Sequence, residues 1–246
     1  MAIIIFIYAL LLGSFLNVVG LRVPLNQSIV HPRSRCPGCR RELRPIELIP
    51  VVSYLLLQGC CSACGSRISP LYPSVELASG LLFMLAWVRS GWSVETLIAW
   101  TFISMLLIII VTDIQYMLIP DKILLFFAGV FLTERLLLPL NPWWDSLFGA
   151  GTGFALLLLI AVASKGGMGG GDIKLFAVIG FVYGLQFVLL AFFLSSMLGA
   201  LFGLLGMAAG LVEKGKPIPF GPYIAAGSLL AYFYHQPILD WYFSFY

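Results

Sequence analysis

The 246-residue chain predicts an all-α polytopic membrane protein with about eight transmembrane helices. A small zinc-stabilised cytoplasmic loop domain is expected between the first and second helices. Three observations carry this expectation. Apolar residues make up 61% of the chain and charged residues 10%, whereas a soluble domain carries about a quarter charged residues. The apolar runs are continuous and do not alternate with period two, so helices rather than barrel strands satisfy their backbone groups in lipid. All five cysteines fall in one long polar stretch, residues 24–72.

A bilayer core about 30 Å thick needs roughly 20 apolar residues per helix. Spans are expected at about 2–22, 73–89, 95–113, 123–138, 146–164, 173–184, 187–210 and 220–239. The sixth is short and follows a glycine cluster, and its boundary with the seventh is weakly marked. The first span has no basic residue ahead of it and Arg22 behind it. A removable signal has the opposite polarity, so this span is expected to be retained. Twelve of the fourteen Lys and Arg residues fall beside loops on one face, from Arg22 to Arg67 and from Lys122 to Lys216; Arg89 and Arg135 fall on the other. Basic loops stay in the cytoplasm, which puts the first loop inside, both termini outside, and Trp143 and Trp144 at the outer interface. The net charge of +3 then reports topology, and no nucleic-acid partner is implied. The expected organisation is a first transmembrane helix over 1–23, a cytoplasmic zinc-binding loop over 24–72, and a transmembrane catalytic domain over 73–246. Gly13, Gly20 and the glycines of the seventh span suit close helix packing, within one chain or in a homo-oligomer.

The polar stretch reads Cys36-Pro-Gly-Cys39, then 21 residues, then Cys61-Ser-Ala-Cys64. Two such pairs supply four thiolates for one tetrahedral zinc ion. A loop of this size builds no dependable core alone, and a metal staple explains how it folds. Disulfides would need an oxidising compartment, against the expected cytoplasmic placement. A redox-active pair would need only one of the two motifs. Cys60 is the odd fifth thiol; the spacing favours Cys61 as ligand, and a one-residue swap stays open.

The eleven acidic residues can be weighed singly. Glu42, Glu47, Glu95, Asp145, Glu213 and Asp240 lie in loops or near span ends, where solvated charge is ordinary. Glu134 beside Arg135 reads as a snorkelling pair, and Asp121 after Pro120 as a helix N-cap. Asp113 differs, because it ends an apolar span in Ile-Ile-Ile-Val-Thr-Asp113. An ionisable group at that depth costs about 2.5–3.5 kcal/mol and is a functional candidate by default. Asp172 follows five glycines in Lys165-Gly-Gly-Met-Gly-Gly-Gly171-Asp172, a backbone that can approach a substrate peptide closely. A bland reading makes Asp172 the N-cap of span six. The two readings are compatible, since helix N-terminal amides stabilise its carboxylate. With both aspartates at cytoplasmic span ends, they could share one proton, one activating water and the other protonating the scissile carbonyl. Asp172 is assigned the base and Asp113 the acid as a hypothesis. A His-based site is disfavoured because His31 and His235 fall on opposite faces.

Asp113-x6-Pro120-Asp121 with Gly169-x-Gly171-Asp172-x-Lys174-Leu resembles the aspartate motifs of type IV prepilin peptidases, which are GxGD intramembrane aspartyl proteases. The similarity extends to Gly13-Ser-Phe-Leu-Asn17-Val-Val, Arg22-x-Pro24, Glu47-Leu-Ile-Pro50-x-x-Ser53-Tyr54, the double Cys-x-x-Cys, Tyr72-Pro73-x-Val-Glu76-Leu and Pro219-Phe-Gly-Pro222. It covers about residues 13 to 227. The resemblance implies removal of a basic leader from type IV prepilins or pseudopilins at the cytoplasmic face of the inner membrane. It also implies N-methylation of the new N-terminus with S-adenosylmethionine, an activity associated with the zinc loop. Glu47 and Glu76 are candidate contacts to the substrate amine or cofactor; alternatively, they pair with the arginine cluster. Asp121 and Glu213 could meet the basic leader. The alternative from another class is a proton-coupled transporter using Asp113 and Asp172, although no internal repeat supports it.

Overall fold

The computed structural model describes residues 1–165, 167–210 and 218–244. Lys214, Lys216 and Glu213, which entered the charge and leader arguments above, lie outside the described residues. Among the described residues the chain is helical, with two isolated antiparallel bridges in the polar loop. The helices are α1 (Ala2–Arg22), α2 (Val52–Leu56), α3 (Leu71–Ser90), α4 (Val94–Tyr116), α5 (Asp121–Leu137), α6 (Asp145–Ala163), α7 (Gly170–Tyr183), α8 (Leu185–Ala208) and α9 (Gly221–Phe243). A single 3₁₀ turn, Pro45–Leu48, precedes α2.

The eight longer helices fall on the eight expected spans. The largest end differences are three residues at Gly170 and Tyr116 and four at Phe243. Five of them, α1, α3, α4, α6 and α8, are long and apolar enough to cross a bilayer. α7 has 14 residues, about 21 Å of helix at 1.5 Å per residue, which falls short of a hydrocarbon core about 30 Å thick. The weakly marked boundary after it is a single residue, Gly184 at φ +86°, a conformation that costs glycine nothing.

The chain divides into two compact units, Met1–Gln115 and Tyr116–Tyr246. In the first, α1 and α3 run antiparallel along a seam of small and polar residues. Ser79 donates to the carbonyl of Ala9 at 2.8 Å, and Asn17 Nδ2 donates to that of Tyr72 at 3.1 Å. Between these two bonds Gly13 lies directly against Glu76. α4 is buried on nearly all sides, from Thr96 through Ile98, Phe102, Met105 and Ile109 to Asp113. Trp100 Nε1 donates to the carbonyl of Phe83 at 3.0 Å, tying α4 to α3.

In the second unit α6 packs on α7, and α8 on α9. Gly149 and Gly180 set the first contact, since a side chain on either would overlap the other's backbone. Two charged side chains behave differently from the sequence reading. Asp145 is not a solvated loop acid: it is half-buried, and its Oδ1 accepts the Leu185 amide at 3.2 Å, filling an open donor at the start of α8. Arg135 does not snorkel outward. It is buried, its Nε donates to the Val182 carbonyl at 2.7 Å, and its guanidinium lies 5.7 Å from the Tyr183 ring centre. A cation at the end of α7 takes up carbonyls that the helix leaves open.

Gly180→Leu should separate α6 from α7 and destabilise the protein by about 1–3 kcal/mol, the usual range for overpacking. Thermal unfolding in detergent checks this, with Gly129→Ala as the control because nothing lies near that position.

Candidate active site and metal centre

Asp113 stands one turn from the end of α4, and only 6% of its surface is exposed. The preceding turns are Leu106 to Thr112, all but one of them buried, so an apolar helix carries this carboxylate inward. Asp172 lies in the second unit, half-buried, as the third residue of α7. It is therefore not the N-cap, which is Gly169. The first helical turn still surrounds it with unsatisfied amides, the environment in which a carboxylate is favoured.

The second unit brings two separated motif pieces together around Asp172. Gly171 packs against Ile119 so closely that a Cβ would come within 2.7 Å of the isoleucine Cβ. Only glycine allows the α7 start to lie on the segment leading into α5. Beside this contact Lys174 Nζ donates to both Asp121 carboxylate oxygens at 2.8 and 2.7 Å. Asp121 is thus the first residue of α5 and an ion-pair partner, not an N-cap; Pro120 holds the cap position. Lys174 as a neighbour of the Asp172 turn had no sequence signal beyond its place in the motif.

Glu47 and Glu76 have different partners. Glu47 accepts from Arg41 at 2.7 Å, from the Ser62 hydroxyl and from the Arg44 amide. Arg41 first, then Ser62, hold its carboxyl down to about 2. Glu76 is 8% exposed in the α1–α3 seam, and its Oε2 accepts the Val51 amide at 2.8 Å. Val51 has a left-handed backbone at φ +61°, strained for a β-branched residue. One helical turn along the seam, Asn17 is 2% exposed and its Oδ1 has no partner. Asn17 is the seam residue that sequence reasoning missed, although it stands in one of the quoted motifs.

The four cysteines Cys36, Cys39, Cys61 and Cys64 converge, with all sulfurs within 4.8 Å of one another. Cys60 is outside this group and Cys61 is within it. The two halves repeat one turn. Cys36 N–H donates to Arg41 O and Arg40 N–H to Cys36 O; Cys61 N–H donates to Ser66 O and Gly65 N–H to Cys61 O. The residue after each second cysteine is left-handed, Arg40 at φ +58° and Gly65 at φ +70°. The Ser66 hydroxyl, then the Cys39 amide, lower the Cys36 thiol to about 6. The Cys64 and Ala63 amides lower Cys61. Cys39 is raised to about 11: the Arg41 amide favours its thiolate, but burial and the neighbouring thiols outweigh it. Some thiolates are favoured here and others resist forming, which is the donor set that a divalent cation completes.

Because Glu47 has a folded pKa near 2, below the ordinary 4.5, its tie to Arg41 is fully present above about pH 4.5 and is lost as pH falls toward 2. Glu47→Gln should remove that acid-side dependence from the loop, read by hydrogen exchange of the Arg44 amide across pH 2–6.

Residues 7–90 match the family model of the bacterial peptidase A24 N-terminal domain, and residues 100–204 that of the type IV leader peptidase family. The chain is 51% identical over 239 residues to the prepilin leader peptidase/N-methyltransferase of Bacillus subtilis (strain 168), covering 97% of this chain and 96% of the relative. The like-named protein of Pseudomonas aeruginosa is 36% identical, covering 96% and 91%. That of Myxococcus xanthus is 37% identical over 85% of this chain and 64% of its own. No solved structure matches the chain. With both halves of the chain matched and relatives of this identity along nearly its full length, the chain belongs to the type IV leader peptidase family.

Proposed function

We propose that Asp113 and Asp172 are the catalytic carboxylates with which this enzyme removes the leader from prepilins or prepilin-like precursors. Family membership makes the chain a prepilin-processing peptidase and methyltransferase of the membrane. The observation that carries the residue assignment is Asp113, a carboxylate 6% exposed at the end of an otherwise apolar helix. Asp172 has the complementary setting, half-buried among helix N-terminal amides. Two carboxylates so differently placed split the roles of aspartyl proteolysis. Asp172 takes a proton from water as that water attacks the scissile carbonyl; Asp113 gives its proton to the carbonyl oxygen. The Lys174–Asp121 pair positions the first turn of α7 for this. The transporter reading is set aside, because the matched family and the relatives' names are those of peptidases.

The topology supporting this chemistry has eight spans, with α5, α7 and α9 crossing beside the five long apolar helices. α7 is short because its glycine-rich start opens into water below the membrane surface, and irregular backbone at that depth is tolerated only along a cavity. The active site faces the cytoplasm, on the side of the arginine-rich loop, in the inner membrane. The chain divides by role into helix 1–23, zinc loop 24–72 and protease region 73–246.

The four cysteines hold structural zinc. S-adenosylmethionine would supply the methyl group transferred to the new N-terminus. For that step Glu76 receives the substrate amine in the α1–α3 seam and takes its proton, with the open Asn17 Oδ1 as a second acceptor. Glu47, tied to Arg41, positions the loop.

Cleavage of a co-reconstituted precursor, read by intact mass, tests the assignment. Asp113→Asn and Asp172→Asn should each lower kcat by about 10²–10⁴-fold, the usual worth of a general acid or base, with unfolding unchanged. Retained cleavage in either variant overturns it. Glu76→Gln should cleave normally and methylate poorly; equal loss of both would make Glu76 a folding residue. Elemental analysis should find about one zinc per chain, lost in Cys36→Ser and Cys64→Ser and kept in Cys60→Ser.

A further inference from the structure

The 3₁₀ turn and α2 carry a run of large apolar side chains turned away from the protein. Ile46, Leu55 and Leu56 are 73%, 68% and 76% exposed, and Leu48, Ile49 and Val52 are exposed beside them. These values match Leu159 on α6 at 68%, a residue of a span. In a loop bathed in water, six such residues in eleven positions would form an exposed patch of the kind that marks an interaction surface.

One hydrogen bond fixes the depth of this segment. Val51, at the entrance of α2, donates its amide to Glu76, the sixth residue of α3. Five helical rises place Glu76 about 7.5 Å inside the start of α3. α3 has 20 residues, about 30 Å, so it needs nearly its full length to cross the hydrocarbon. Leu71 therefore lies at the hydrocarbon boundary, and Val51 lies level with or below it. The neighbouring basic residues complete an interfacial pattern: Arg44 precedes the 3₁₀ turn, and Arg40 and Arg67 sit on the cysteine turns. All three are exposed, and none is in an ion pair among the described residues.

We propose that residues 46–56 are embedded in the cytoplasmic-side lipid interface, with Arg40, Arg44 and Arg67 binding anionic lipid headgroups. An interfacial helix buries its apolar face about 5–10 Å into the headgroup–acyl boundary, the depth that the Val51–Glu76 bond sets. The anionic leaflet attracts arginines near its surface and falls off within a Debye length. This gives the arginine cluster a partner of opposite charge, where a basic leader peptide would be repelled by it. The cysteine module is thereby held flat on the membrane, beside the α1–α3 seam that buries Glu76 and Asn17. The inference rests on the reading that α3 spans the bilayer.

The full chain, reconstituted in vesicles of phosphatidylglycerol and phosphatidylcholine, is irradiated with a phosphatidylcholine probe bearing a diazirine near the glycerol end of one acyl chain. Adducts are mapped by mass spectrometry. Leu55 and Leu56 should be labelled at yields comparable to Leu77 and Leu81, exposed residues of α3. No adducts over 46–56, with Leu77 and Leu81 labelled, overturns the proposal. Unlabelled Leu77 and Leu81 would locate the failure in the span reading instead, and the proposal falls with it. Replacing phosphatidylglycerol by phosphatidylcholine, or combining Arg40→Gln, Arg44→Gln and Arg67→Gln with zinc content retained, should reduce labelling of 46–56 several-fold. Equal labelling overturns the headgroup assignment. Cross-links from this segment to an added precursor, without lipid adducts, would make it a substrate face and overturn the proposal.

Discussion

In hydrocarbon every backbone donor and acceptor has to be satisfied within the protein, because each unpaired group costs several kcal/mol. A chain that is 61% apolar meets that constraint by forming helices, and the rest of the molecule follows from where the helices are allowed to stop. They stop at places where something else takes over the open groups. Asp145 takes the Leu185 amide at the start of α8, and Arg135 takes the Val182 carbonyl at the end of α7. Asp172 occupies the first turn of α7. Charged residues are scarce in this chain, and several of them serve helix termini.

The second constraint is close approach. Helix pairs in lipid gain little from the hydrophobic effect and pack through small residues and hydrogen bonds. The Gly149–Gly180 contact and the Gly13–Glu76 contact belong to this class. So does Gly171 against Ile119, which seats the start of α7 on the segment before α5. There the packing device sits beside the carboxylate proposed for catalysis. The residue that allows the approach is the immediate neighbour of the carboxylate that it delivers.

The polar loop solves a different problem with different means. It is too small for a core of its own, and its order comes from two copies of one cysteine turn, each closed by a left-handed residue. Glu47 holds Arg41 within this module, and Glu76 of α3 takes the Val51 amide at its edge. The Glu76–Val51 bond couples the loop to the α1–α3 seam, so the cysteine module and the buried polar pair of the seam are held as one assembly.

Much of this was legible in the sequence, and the reason is periodic chemistry. The eight apolar runs coincide with eight long helices among the described residues, within four residues at their ends, because a continuous apolar run satisfies its backbone groups as a helix; five of those helices are long and apolar enough to cross a bilayer. The Cys-x-x-Cys pairs were legible because four thiols at fixed spacing have few uses. Asp113 stood out because a carboxylate at the end of an apolar span is expensive, and Asp172 because five glycines lead into it. The tertiary structure decided the rest. Asp121 pairs with Lys174 across 53 positions of sequence, Cys61 rather than Cys60 joins the cysteine cluster, and Asn17 is left with an open oxygen in a buried seam. None of these follows from local spacing, since each depends on which helix faces meet. Contact between distant segments is set by packing geometry, and sequence periodicity fixes the faces without saying what lies against them.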